Sequence, residues 1–264
     1  MRDTARTPLG LGGSEAVGTA PGAPGEQPLW GYREILALIP VGILAQILAW
    51  VGALAVAQQV AGLDADAFGE LLMGEPGVAV PVQLAAWLPV LAYIALVVRF
   101  RHGLPLRTGF CWQPLRAPVR SYLRTGMLLA FASALASFAI GDPEQQSPMR
   151  AMLENRDALW ILALYGIVLA PCLEEAVFRG FLFAALERYH GRWAALAASS
   201  AVFAALHGSQ YGWQSQQLAV LMAVGCAFGA IRIRSGSAKA SAVVHATYNG
   251  MLFLAVVSVP GALG

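Results

Sequence analysis

LAPCLEEAVFRGFLF, residues 169–183, is an apolar run broken by three charges, Glu174, Glu175 and Arg179. Insertion scales place a lone charge at the centre of a bilayer at about +2.5 to +3.5 kcal/mol, unless it is paired or faces a wet cavity. If the run crosses a membrane, each of the three therefore needs a partner or a task. The composition around it makes the bilayer the right solvent. The chain is 58% hydrophobic and 12% charged, with a mean hydropathy of +0.61. Soluble domains run at about 45–50% apolar and about 25% charged, so an ordinary soluble enzyme is excluded.

A spanning helix needs about 20 mostly apolar residues. Seven segments meet or approach that length: Ile35–Leu63, Gly77–Val98, Leu123–Gly141, Ala158–Leu186, Ala194–Gly208, Leu218–Ile231 and Ala240–Val259, the fifth and sixth being short. The expected fold is all-α, a polytopic bundle of about seven (6–8) membrane helices over residues 33–264. Residues 1–32 precede it as a Gly-, Pro- and Ala-rich tail, GLGGSEAVGTAPGAPGEQP at its centre. Such a composition buries too little surface to offset its ordering entropy, so this tail is expected to be disordered. It lacks the apolar core of a signal peptide.

Charge asymmetry orients the bundle. With the N-terminus in the cytoplasm, 14 of the 17 Lys and Arg fall on the cytoplasmic side, including Arg99, Arg101, Arg116, Arg124, Arg188, Arg234 and Lys239. Arg150 and Arg156 fall outside, in a loop that also holds Asp142, Glu144, Glu154 and Asp157. That split is the positive-inside pattern. Cys111, Cys172 and Cys226 form no disulfide framework and read as apolar filler.

The membrane-embedded ionisable groups are few: Glu174, Glu175, Arg179, His207 and His245, with Asn249 one turn beyond His245. Residues four apart share a helix face, so Glu175 can pair with Arg179 in the favoured acid-first order. Glu174 is rotated by about 100° from Glu175 and has no local cation. His245 and Asn249 are also four apart. Measured from the expected cytoplasmic helix ends at 1.5 Å per residue, Glu174 lies about 18 Å deep, His207 about 20 Å, His245 about 8 Å and Asn249 about 14 Å. Three helices thus bring polar groups toward one slab.

A carboxylate and an imidazole on one water form a general base and proton shuttle. A second imidazole and a carboxamide supply donors for a developing oxyanion. Two His and a carboxylate can instead hold a zinc ion with a position open for water, although the HExxH pattern is absent. A proton or cation relay in a transporter or channel subunit is a further use of the same groups, and a non-catalytic immunity or scaffold protein is another.

EEAVFR (Glu174–Arg179), FAALH (Phe203–His207) and HATYN (His245–Asn249) resemble, in order, the EExxxR, FxxxH and HxxxN motifs of the CPBP family. These are the CAAX prenyl endopeptidase-like and bacteriocin-processing intramembrane proteases, also labelled Abi. The resemblance covers about residues 158–259. It implies that Glu174 and His207 activate the hydrolytic water and that His245 and Asn249 form the oxyanion hole. Glu175 and Arg179 become supporting, and Phe203 packs the site. The family has been read both as metalloproteases and as glutamic-type proteases. The reading taken is a metal-independent glutamic mechanism with no cofactor, the alternative being zinc on Glu174, His207 and His245. The expected substrate is a membrane-anchored protein or peptide: a CAAX-type tail, a leader peptide or a C-terminal anchor. The bilayer is the other partner, and nucleic acid is not one. The abundance of Ala and Arg beside a single Lys points to a bacterial cytoplasmic membrane of a high-GC organism.

Overall fold

Proline and glycine punctuate the chain where the apolar runs break. The computed structural model describes residues 30–140 and 159–258, and every regular element among them is helical. The expected tail up to residue 29 lies outside the described residues, as do Asp142, Glu144, Glu154, Asp157, Arg150 and Arg156. Helix α1 (Tyr32–Ala61) starts where the Glu34 carboxylate accepts the Gly31 N–H at 2.9 Å and stops at left-handed Gly62. Asp64 caps the short α2 (Ala65–Gly74) by accepting the Ala67 N–H at 2.9 Å. Pro76, whose missing N–H is harmless at a first helical position, opens α3 (Pro76–Arg101). There follow α4 (Leu106–Gly109), α5 (Val119–Ala139), α6 (Leu159–Leu206), α7 (Ser215–Ser235) and α8 (Ala238–Ser258).

Among the described residues, six helices are long and apolar enough to cross a membrane. The polytopic helical bundle is therefore as the composition implies, and α6 reconciles six with seven. Its Gly191 has φ 76° and ψ 167°, which is not helical. The rings of Phe178 and Phe203 lie 5.4 Å apart, whereas a straight helix would separate them by about 37 Å. α6 is therefore a hairpin, with a descending arm at 159–190 (α6a) and a returning arm at 192–206 (α6b). These are the fourth and fifth expected segments. The sixth is longer than expected, because Gln214 and Gly236 bound it instead of its apolar run alone.

A φ of 76° with an extended ψ is a region that only glycine occupies readily, and holding another residue there costs about 1–3 kcal/mol. Gly191→Ala is thus expected to lower the stability of the purified protein by that amount, measured by thermal unfolding in detergent. Nothing lies within 4 Å of a Cβ at this position, so the loss isolates backbone strain from crowding.

The tail boundary needs a correction at its last residues. Trp30 is 1% exposed. Its ring stacks on Phe181 at 5.1 Å, and its indole N–H donates to the Phe181 carbonyl at 3.0 Å. Tyr32 contacts the His190 imidazole. One aromatic with an apolar body and a polar handle was enough to anchor a segment that composition assigned to the tail.

α8 lies among α5, α6a and α7, while α1 packs along α3. Gly126 lets α5 approach α8 closely, since a Cβ there would stand 2.6 Å from the Val244 carbonyl oxygen. The outer face of α1 (Leu36, Ile39, Ile43, Leu44, Ile47 and Leu48) is exposed, as a lipid-facing helix requires.

The helix ends are not level. The Ala238 N–H donates to the Cys111 carbonyl at 2.9 Å, and the Ser237 hydroxyl to the Gln113 carbonyl at 2.7 Å. The same loop meets α6a at Gly180, where a Cβ would stand 2.5 Å from the Phe110 oxygen. α8 thus begins near the level of Gly180, and the α6 hairpin continues about 16 Å further before turning.

Candidate active site

The two glutamates stand between wide, i→i+5 turns at Leu164–Leu169 and Ala176–Leu182. Such turns are rare and recur at functional sites. Glu175 is fully buried, and three donors converge on it. Arg179 Nη1 donates to Oε1 at 3.1 Å, the Ser241 hydroxyl to Oε2 at 2.6 Å, and His245 Nδ1 lies 3.1 Å from Oε1. Arg179 is equally buried and donates through Nη2 to the Gly225 carbonyl at 2.8 Å. Its guanidinium lies 4.8 Å from the Phe203 ring centre, with Phe228 at 5.6 Å and Phe178 at 5.8 Å. This aromatic enclosure adds cation–π attraction in a desolvated setting.

Glu174 faces the other way. Its Oε2 is buried with no hydrogen-bond partner among the described residues. Two imidazoles approach that oxygen, His245 Nε2 at 3.8 Å and His207 Nε2 at 3.9 Å. The offset between helix ends explains how His245, expected about 10 Å shallower than Glu174 by helical rise, meets it. Depths counted from each helix's own end presumed a common plane that the hairpin does not share.

The far nitrogens fix the tautomers. His207 Nδ1 lies 2.8 Å from the Phe203 carbonyl, which can only accept, so Nδ1 carries the proton. His245 Nδ1 faces a carboxylate already paired with Arg179, so it too donates. With both imidazoles neutral, each Nε2 presents a lone pair toward Glu174. Three acceptors then surround one gap.

Phe203 packs its ring 4.4 Å from that of His207 and 5.9 Å from that of His245. Asn249 donates its amide to the Gly166 carbonyl at 2.7 Å, tying α8 to the first wide turn of α6a. One of its two N–H groups remains for other use. The sequence reading missed Ser241 and Phe228, whose ring stacks on His245 at 4.3 Å. Ser241, His245 and Asn249 fall every fourth residue on one α8 face, so the spacing that exposed the last two also held the first.

Among the described residues no group of three His, Cys, Asp or Glu is close enough to hold an ion. Each Nε2 faces Glu174 Oε2 at 3.8–3.9 Å with its Nδ1 engaged, a disposition that water-binding and metal-ligating imidazoles share.

Residues 156–251 match the family model described as type II CAAX prenyl endopeptidase, Rce1-like. The site-bearing segment belongs to the CAAX protease family. Every side chain described above, from Gly166 to Asn249, lies within it. With six apolar helices among the described residues, the chain is an integral membrane protein, and the family that this segment matches is one of CAAX prenyl endopeptidases. α1 to α5 lie outside the matched segment. No curated protein and no solved structure matches the chain.

Proposed function

We propose that the chain hydrolyses a peptide bond of a membrane-associated protein or peptide by a water that Glu174 and His207 activate. The observation that carries this reading is the set of three acceptors around one gap. Among the described residues, Glu174 Oε2 and the two Nε2 atoms have no protein donor between them. A molecule that brings its own protons satisfies them, and water is the smallest. Its O–H groups donate to Glu174 and to one imidazole, which leaves an oxygen lone pair free to attack.

Attack forms the C–O bond to the scissile carbonyl while the water proton passes to the Glu174–His207 pair. With neutral imidazoles, the two glutamates and Arg179 leave the buried set at a net charge of −1. The proton taken from the water neutralises it and can be shared among Glu174, His207 and His245. When His245 carries that proton, Nδ1–H stays on Glu175 and Nε2–H is free to donate to the tetrahedral oxyanion, with the second Asn249 N–H beside it. Breakage of the C–N bond then returns the proton to the leaving amine. Zinc held by Glu174, His207 and His245 remains the competing assignment. It would supply a Lewis-acid centre and an activated water.

The substrate proposed is a bacterial peptide or anchored protein rather than a prenylated tail, entering from the bilayer or the basic face, in a bacterial cytoplasmic membrane. The test is hydrolysis of a membrane-anchored reporter peptide by the purified chain. Cleavage should survive a chelator series and fall by about 10²–10⁴ in His207→Ala. Loss of activity to chelator, restored by zinc, would assign the metal mechanism instead. Ion flux dependent on Glu174 in a chain that cleaves no reporter would replace the protease reading with a relay.

A further inference from the structure

A second polar feature stands apart from the site. At the basic end of the bundle a cavity of about 250 Å³ opens between α5 and α7. Ala117, Tyr122 and Ile231 form its apolar wall, and Arg116 and Arg234 stand at its lip. Both arginines are exposed, and neither has a carboxylate partner among the described residues. By contrast Arg101 at the same end is bound to Glu34 at 3.0 Å.

The serine and threonine hydroxyls in the cavity do not serve as free donors. Ser121 donates to the Pro118 carbonyl, Thr125 to the Ser121 carbonyl, and Ser235 to the Ile231 carbonyl. The charged donors are therefore the two guanidiniums. Arg116 is set in place by Gly236, the left-handed cap of α7, where a Cβ would stand 3.2 Å from Nη2. Beside Ala117, α5 begins at Pro118 with no side-chain cap, so its first-turn N–H groups add positive potential to the same rim.

An apolar pocket lipped by two unpaired arginines, between membrane helices and at their basic ends, fits an anion that carries a hydrocarbon body. Along α5 the cavity-facing side continues through exposed apolar Leu128, Ala132 and Leu135, a path into the acyl region. We propose that this cavity binds the phosphate headgroup of an anionic lipid, gripped by Arg116 and Arg234, with the acyl chains along α5.

The test is thermal unfolding of the purified full chain in detergent, titrated separately with phosphatidylglycerol, phosphatidylcholine and inorganic phosphate. Wild type should be stabilised saturably by phosphatidylglycerol alone. Arg116→Gln/Arg234→Gln should weaken that affinity by about thirtyfold, taking one headgroup interaction per arginine. Arg116→Lys/Arg234→Lys should retain part of it. Arg120→Gln/Arg124→Gln removes two exposed charges of the same helix outside the cavity and should change affinity less than about threefold. Equal loss in that control overturns the site in favour of diffuse surface charge. Unchanged affinity in the glutamine pair, or equal binding of phosphatidylcholine, also overturns it. Inorganic phosphate that stabilises equally and displaces the lipid would assign a soluble phosphate instead.

Discussion

Glu174→Gln is expected to lower kcat for reporter cleavage by about 10²–10⁴ while leaving the thermal unfolding midpoint close to that of wild type. The two effects separate because, among the described residues, Glu174 makes no hydrogen bond that holds the bundle together. Its Oε2 is an orphan among the described residues, and its neighbours, His207 Nε2 and His245 Nε2, lie beyond hydrogen-bond distance. The glutamine keeps the shape, so packing is unchanged. Its amide can no longer accept a proton from water, and an N–H turned toward either Nε2 would occupy the lone pair the reaction needs. The exchange also replaces a buried carboxylate that has no cation of its own by a neutral amide, which ordinarily stabilises. A variant that is as stable as wild type, or more so, and inactive is therefore the signature sought. Retention of more than about a tenth of wild-type kcat would remove Glu174 from the chemistry, because a general base contributes at least about a hundredfold.

What the sequence disclosed of this site was decided by range. The Glu175–Arg179 pair spans one turn of one helix, and the i,i+4 rule found it without tertiary information. The hairpin at Gly191 was legible as two apolar segments, since hydropathy detects the rods and the glycine between them supplies the break. Ser241 was as accessible as Asn249 by spacing. It was missed because a lone serine in an apolar helix has a bland explanation in bonding its own backbone, and only the carboxylate opposite gives it another role.

Other features had no local sign. The bond from Asn249 to the Gly166 carbonyl joins residues 83 apart and depends on a wide turn that freed a carbonyl from the usual ladder. Trp30 had no periodic apolar neighbours, and its partner Phe181 lies 151 residues away. The depths failed for a related reason. Rise per residue is a property of each helix, but the plane from which it counts is a property of the assembly. Here the loop around Cys111 sets α8 level with Gly180 instead of with the Gly191 turn.

The second large effect concerns Glu175 and Arg179, and it distinguishes holding the fold from orienting the catalytic ring. Each is 0% exposed, and each is the other's charge partner. Arg179→Ala should destabilise the protein by about 3–5 kcal/mol in a detergent unfolding assay, because it strands a buried carboxylate. Glu175→Ala should do the same by stranding the guanidinium. Replacing both with apolar residues of similar volume, Glu175→Leu/Arg179→Met, removes both charges together and should recover most of that loss, since such exchanges of a buried pair are often neutral. Activity should not return with it. His245 Nδ1–H would have lost its carboxylate acceptor, so nothing would hold the imidazole with Nε2 toward Glu174 or stabilise a protonated ring beside the oxyanion. Kinetically this should appear as a loss in kcat with KM little changed, because the ring acts on the transition state and not on substrate binding. If the double variant regained activity as well as stability, Glu175 would be a structural partner only, and the orientation of His245 would have to come from its stack on Phe228.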